Sequence, residues 1–123
     1  MLKLLYTFRW AFIWLLLITW LSTSPGVSLP GFTLISSDKL AHAAAYAVLT
    51  WLLLQGLPDA FRRWNRLPRH AWLCGFAIAY GALMEFVQAT FFPYRVFEFD
   101  DMIANAIGAL GAWSVFITMN YKR

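Results

Sequence analysis

The sequence predicts an all-α fold, a polytopic membrane protein with four transmembrane helices packed as a compact bundle, and three observations lead there. Of the 123 residues, 61% are hydrophobic and only 13% are charged, whereas a soluble domain runs near half apolar and about a quarter charged. Four apolar runs, at about 4–23, 38–57, 71–92 and 100–121, each match the roughly 20 residues a helix needs to cross a bilayer. Between them stand prolines and short charged segments rather than a composition that could build a second core. The four runs occupy about two thirds of the chain, which leaves no separate soluble domain and makes 1–123 a single membrane domain.

The first run, Leu4 to Ser22, follows Lys3 and Arg9 and resembles both a signal peptide and an uncleaved signal anchor. Trp10, Trp14 and Trp20 are bulky for a signal sequence, and no small-residue cleavage pattern precedes Pro25, so the anchor reading is favoured. Pro25, Gly26, Pro30 and Gly31 break the helix into a loop. Ser36, Ser37 and Asp38 then supply a start signal for the second helix, which Pro58 ends. The third run closes at Pro93 and the fourth at Lys122 and Arg123. The lone cysteine, Cys74, can form no intrachain disulfide and reads as a small packing residue.

Net charge is +4, yet the basic residues fall between apolar runs, where they set orientation; nucleic acid is therefore not an expected partner. If the spans alternate, Lys3, Arg9, Arg62, Arg63, Arg66, Arg69, Lys122 and Arg123 all lie on one side, which puts both termini in the cytoplasm. Lys39, Arg95 and five of the six acidic residues then gather at the outer end.

Three helices carry polar stripes. Asp38, His42 and Tyr46 are spaced i, i+4, i+8, with Lys39 beside them. Ala77, Gly81, Glu85 and Gln88 share one face of the third helix, and Asp101, Asn105, Gly108 and Ala112 share one face of the fourth. A charged group facing lipid costs about 2.5–3.5 kcal/mol on insertion scales, so the stripes are expected to face one another. Gly81, Gly108 and Gly111 are the small residues expected to let the helices approach.

Several members have simpler readings. Asp38, Asp100 and Asp101 stand where a carboxylate caps a helix or meets its dipole. Lys39 suits an interfacial lysine, Tyr46 and Gln88 suit packing, and Glu98 suits a solvated loop charge. Glu85 is hardest to explain so, because a carboxylate well inside a span has no cap to make. His42, Glu85 and Asp101 are the candidate catalytic acid-base groups; Asp38, Lys39, Tyr46, Gln88, Arg95 and Asn105 are the candidate binding residues. One histidine among scattered carboxylates is far from a specific metal-ligand spacing, so no metal and no cofactor are expected.

The pattern D-K-L-A-H-A-A-A-Y from Asp38, E-F-V-Q from Glu85, then Arg95 and six residues later D-x-x-x-N-x-x-G from Asp101, resembles the VanZ-like family of small bacterial membrane proteins. The resemblance spans about Asp38 to Ala112. It matches Asp38, Lys39, His42 and Tyr46 to one motif, Glu85 and Gln88 to a second, and Arg95, Asp101, Asn105 and Gly108 to a third. Ala112 stands where the family often has glycine, and the outer loops are shorter and less basic than in many members. The resemblance implies a role at the cell envelope, because the family is named for a member linked to resistance to the glycopeptide teicoplanin. It supplies no reaction.

Three functions follow as expectations. One is a binding protein whose outer polar pocket holds the head group of a membrane lipid or lipid-linked envelope precursor, with Arg95 and Lys39 on its acidic part and Glu85 and His42 on hydroxyl or amine groups. Another is an enzyme acting on a lipid-linked substrate through a His/carboxylate pair. The third is a purely structural bundle, in which the cluster only fixes the helices.

Overall fold

A computed structural model of the protein describes residues 1–24, 37–58, 62, 66–92 and 97–121. The described residues hold five helices of stated bounds and no strand: α1 (Leu2–Thr7), α2 (Arg9–Thr23), α3 (Ser37–Gln55), α4 (Leu67–Phe91) and α5 (Phe99–Asn120). The loop expected from Pro25 to Ser36, most of the basic segment after Pro58, the turn at Pro93 to Val96, and Lys122 with Arg123 lie outside the described residues.

Two helices, α4 and α5, are long and apolar enough to cross a membrane. Helix α2 is apolar but has only 15 residues. Its run is divided from α1 at Phe8, which sits at φ −100°, ψ 12° between them, while amide-carbonyl bonds from Phe8 to Leu4 and from Phe12 to Phe8 carry the chain through. The Phe8 ring fills the space beside Gly56, where an added Cβ would stand 2.5 Å from it. Helix α3 has the length, 19 residues, but its first turns spend positions on Asp38, Lys39 and His42. The expected four apolar runs are thus all helical, and two of them meet the spanning criterion among the described residues.

The helix ends follow local chemistry. Helix α4 begins four residues before the expected Ala71, because Pro68 falls in its first turn, where a missing N–H is harmless and the ring's φ is already helical. This brings His70, which directly follows the last of the loop arginines, into the helix and the interior, edge-on to Phe116 with ring centroids 5.4 Å apart. Helix α3 ends at Gln55, and the Arg62 guanidinium folds back onto the carbonyls of Gln55 and Leu57, a cation on the negative end of the helix dipole.

Helices α3 and α5 form the main interface, with α4 packed on both and α2 on α3 and α4. Trp14 Nε1 donates to the Ala45 carbonyl at 2.8 Å, the Thr19 and Tyr80 hydroxyls meet, and Gln88 Nε2 donates to the Ser22 carbonyl at 2.8 Å. Ala11, Ile18, Tyr46, Leu49, Leu53, Cys74, Ala77 and Ala109 form one buried cluster. Polarity is distributed inside out. Thr50, His70, Glu85, Gln88, Asp101, Asn105 and Asn120 are buried, whereas Phe76, Leu83 and Phe86 of α4 and Ile103, Ile107, Val115 and Met119 of α5 face outward. Large exposed apolar faces around a polar interior suit lipid rather than water as the surrounding solvent.

Candidate functional site

The two expected stripes on α4 and α5 are buried throughout: Ala77, Gly81, Glu85 and Gln88 on one helix, Asp101, Asn105, Gly108 and Ala112 on the other. They meet the stripe of α3 because small residues permit it. A Cβ on Gly108 would run into the Ala43 backbone, with Cα and carbonyl carbon at 2.9 and 2.8 Å. One on Gly81 would stand 2.8 Å from Asn105 Nδ2 and 3.2 Å from Tyr46 Cε1. Gly111 has open space around it, and its neighbour Ala112 takes the buried position. Of the three glycines expected at helix contacts, two are therefore at close approaches.

Because α3 lies backbone-to-backbone against α5 at Ala43 and Gly108, the preceding residue, His42, reaches both polar groups one and two turns up α5. His42 Nδ1 is 3.1 Å from Asn105 Oδ1, and His42 Nε2 is 3.4 Å from Asp101 Oδ2. Glu85 comes from α4, about 9 Å from that helix's end by residue count. One ligating atom from each of His42, Glu85 and Asp101 lies within 4.8 Å of the others. The three residues proposed from sequence as acid-base groups, from three different helices, thus form one cluster.

Asp101 is in the first turn of α5, whose N-cap residue, Glu98, makes no side-chain capping bond. Its carboxylate turns inward instead, to Lys39 and His42. Lys39 Nζ also binds Glu98 Oε2 at 2.6 Å. The lysine expected to contact an acidic ligand therefore spends its charge on two carboxylates of its own chain. Glu98 is half exposed yet is not the solvated loop charge its flanking phenylalanines suggest: the Lys39 ammonium holds its carboxyl below the usual carboxylate range. Its backbone amide also points at Glu85 Oε2, at 3.5 Å. Nothing in the sequence around Glu98 marks it for this cluster; only the packing of α5 against α3 does so.

The other candidates divide. Tyr46 is buried in the apolar cluster below His42, against Gly81. Gln88 ties α4 to the last turn of α2. Asp38 lies in the first turn of α3, but its side chain is outside what is described, and Arg95 lies outside the described residues altogether. Ser114, a hydroxyl of the last helix, donates to the Leu110 carbonyl on an exposed face.

No curated protein and no solved structure matches the chain. The model of the VanZ/LLP1 family matches residues 3–120, nearly the whole length and all three polar stripes. Taken with the two apolar helices and the polar interior, that match marks a membrane protein, and the chain belongs to the VanZ/LLP1 family.

Proposed function

We propose that the chain is a multi-pass protein of the bacterial plasma membrane that binds the polar head group of a lipid or lipid-linked cell-wall precursor, in a role linked to resistance to teicoplanin-type glycopeptides. The carrying observation is the convergence of His42, Glu85 and Asp101 within 4.8 Å inside a bundle with an apolar exterior. Buried ionisable groups are expensive in such surroundings and mark binding or transfer sites by default. Because Lys39 is taken up by Glu98 and Asp101, Glu85 and His42 are the groups that meet an amine or hydroxyl of the ligand.

Four crossings with both termini in the cytoplasm fit this reading. The run 2–23, taken across its break at Phe8, is about 33 Å long, and α3 is about 28 Å, against a hydrocarbon core of about 30 Å. The basic residues of the second connection and of both termini would then face the cytoplasm and the cluster would face outward. The test is native mass spectrometry of protein purified gently from a bacterial membrane, with a susceptibility assay alongside. Wild-type protein should retain one class of polar lipid and raise teicoplanin tolerance, and Glu85→Gln should lose both. Equal lipid retention by Glu85→Gln would sink the reading.

A second reading is catalytic, and the setting of His42 favours it. An imidazole fixed between an amide oxygen at 3.1 Å and a carboxylate at 3.4 Å, with Glu85 in the same cluster, groups the residue types of an acid-base site. The reaction would be transfer or hydrolysis on a lipid-linked substrate with water or a substrate hydroxyl as nucleophile. Purified protein that leaves the bacterial lipids unchanged in a mass-resolved turnover assay would rule it out.

A further inference from the structure

We propose that the end of the bundle opposite the His42 cluster binds the anionic head groups of phospholipids in the adjacent leaflet. The packing fixes which helix ends meet there. Phe8, at the start of α2, lies against Gly56, just past the end of α3. Trp51 of α3 and His70 of α4 both meet Phe116 of α5 edge-on. The starts of α2 and α4 and the ends of α3 and α5 therefore share one end, and Glu85 and Asp101 lie toward the other.

Charge is divided between the two ends. Lys3, Arg9, Arg62, Arg66 and Arg69 stand at the first, and among the described residues no acidic one joins them: Asp38, Glu85, Glu98, Asp100 and Asp101 belong to the other. In the sequence, Asp59 is the one carboxylate that falls among these basic residues, and it can offset only one of them. Whatever contacts the arginines make within the chain, this end keeps a net positive charge, whose complement is an anionic surface. Orientation during insertion accounts for their lying on one side, but not for the side chains that accompany them.

That company suits a phosphate with acyl chains behind it. Lys3, Arg9, Arg66 and Arg69 are exposed, and so are Leu2, Tyr6, Trp10 and Trp72 beside them. The Arg9 guanidinium lies 4.1 Å from the centroid of the Tyr6 ring and 5.5 Å from that of Trp10, and donates to the Tyr6 carbonyl at 2.8 Å. It is thus held level with two rings of the kind that settle at a membrane interface. A guanidinium has five N–H donors, so this bond leaves others for phosphate oxygens. On α4, Trp72 follows Arg69 by about one turn and is 81% exposed. Each pair sets a cation for the phosphate beside an aromatic face for the chains. Arg62 differs: its guanidinium is turned onto the carbonyls of Gln55 and Leu57, so it adds field rather than contact.

Crossing of the bilayer by α4 and α5 is all that this takes from the proposed function; neither the head-group site nor the choice of leaflet enters. The experiment is electron spin resonance of spin-labelled phosphatidylglycerol and phosphatidylcholine, each at trace level in phosphatidylcholine vesicles that hold the full chain. Wild type should associate with phosphatidylglycerol at least about fivefold more strongly than with phosphatidylcholine, the effect of one basic residue near an anionic surface. Salt at about 1 M, where the screening length falls to about 3 Å, should remove most of that preference. The triple variant Arg9→Gln, Arg66→Gln, Arg69→Gln should lose it, and the triple lysine variant at the same positions should keep most of it. Equal association of the two lipids with wild type, a preference that salt leaves unchanged, or one that the folded glutamine variant retains overturns the proposal. The salt series stands even where that variant does not insert. Glu85→Gln tests the head-group reading alone and should leave the phosphatidylglycerol preference as it is, so the two can fail separately.

Discussion

Substituting Gly108 by alanine should unlock the α3–α5 interface. The added Cβ would meet the Ala43 backbone at Cα, carbonyl carbon and carbonyl oxygen together, and a helix backbone cannot turn aside as a side chain can. Relief requires α3 and α5 to part by about 1 Å, since ordinary carbon contacts lie at about 3.5–4.0 Å. Overpacking of this kind costs about 1–3 kcal/mol, and the upper end applies because the obstacle is rigid; about 3 kcal/mol is a factor of about 150 in the folding equilibrium. The same parting would stretch the 3.1 Å contact between His42 and Asn105 beyond hydrogen-bond range. The paired control is Gly111→Ala. With open space around Gly111, the better helix propensity of alanine should stabilise by up to about 1 kcal/mol. Reversible denaturant unfolding in detergent, followed by far-ultraviolet circular dichroism, measures both. If Gly108→Ala unfolds within about 0.5 kcal/mol of wild type, the packing argument fails, and with it the account of how His42 reaches Asp101.

Three further outcomes are expected. Glu85→Gln should leave thermal stability unchanged or raise it by about 1 kcal/mol, since a buried carboxylate is retained at a cost that a neutral isostere avoids; a large fall in the melting midpoint would assign Glu85 to structure instead. Lys39→Met should destabilise, by about 1–3 kcal/mol in the same unfolding assay, because it leaves Glu98 and Asp101 facing each other without their shared cation. Acid should weaken the wild-type bundle through Glu98. Its carboxyl is held below the ordinary value by Lys39, so the stabilisation is full above about pH 4.3 and is lost as pH falls through the depressed folded value. A melting-midpoint series against pH should show that acid limb, and Glu98→Gln should flatten it.

Much of this arrangement was legible in the chain itself. Prolines and apolar runs locate α2 to α5 to within a few residues, and helical spacing groups Glu85 with Gly81 and Asp101 with Asn105 and Gly108 because lipid penalises any other orientation. The cluster of His42, Glu85 and Asp101 follows from those faces meeting. What escaped depends on contacts between distant residues. Glu98 looks like a solvated charge between two phenylalanines until the packing of α5 on α3 sets it beside Lys39, 59 positions away. His70 follows four arginines and reads as loop, yet Pro68 starts the helix early enough to turn it onto Phe116. The break at Phe8 answers to Gly56, which no local pattern connects to it.

The bond from Gln88 to the Ser22 carbonyl has a mechanical meaning. It fastens the end of the first long helix to α4 less than one turn from Glu85. Of the side-chain bonds that hold α2 to the bundle, from Trp14 to the Ala45 carbonyl, between the Thr19 and Tyr80 hydroxyls and from Gln88 to the Ser22 carbonyl, this one lies at the level of the buried carboxylate. The N-terminal helix is thereby moored at the same height as Glu85, so that its last turn and the polar face of α4 share one support.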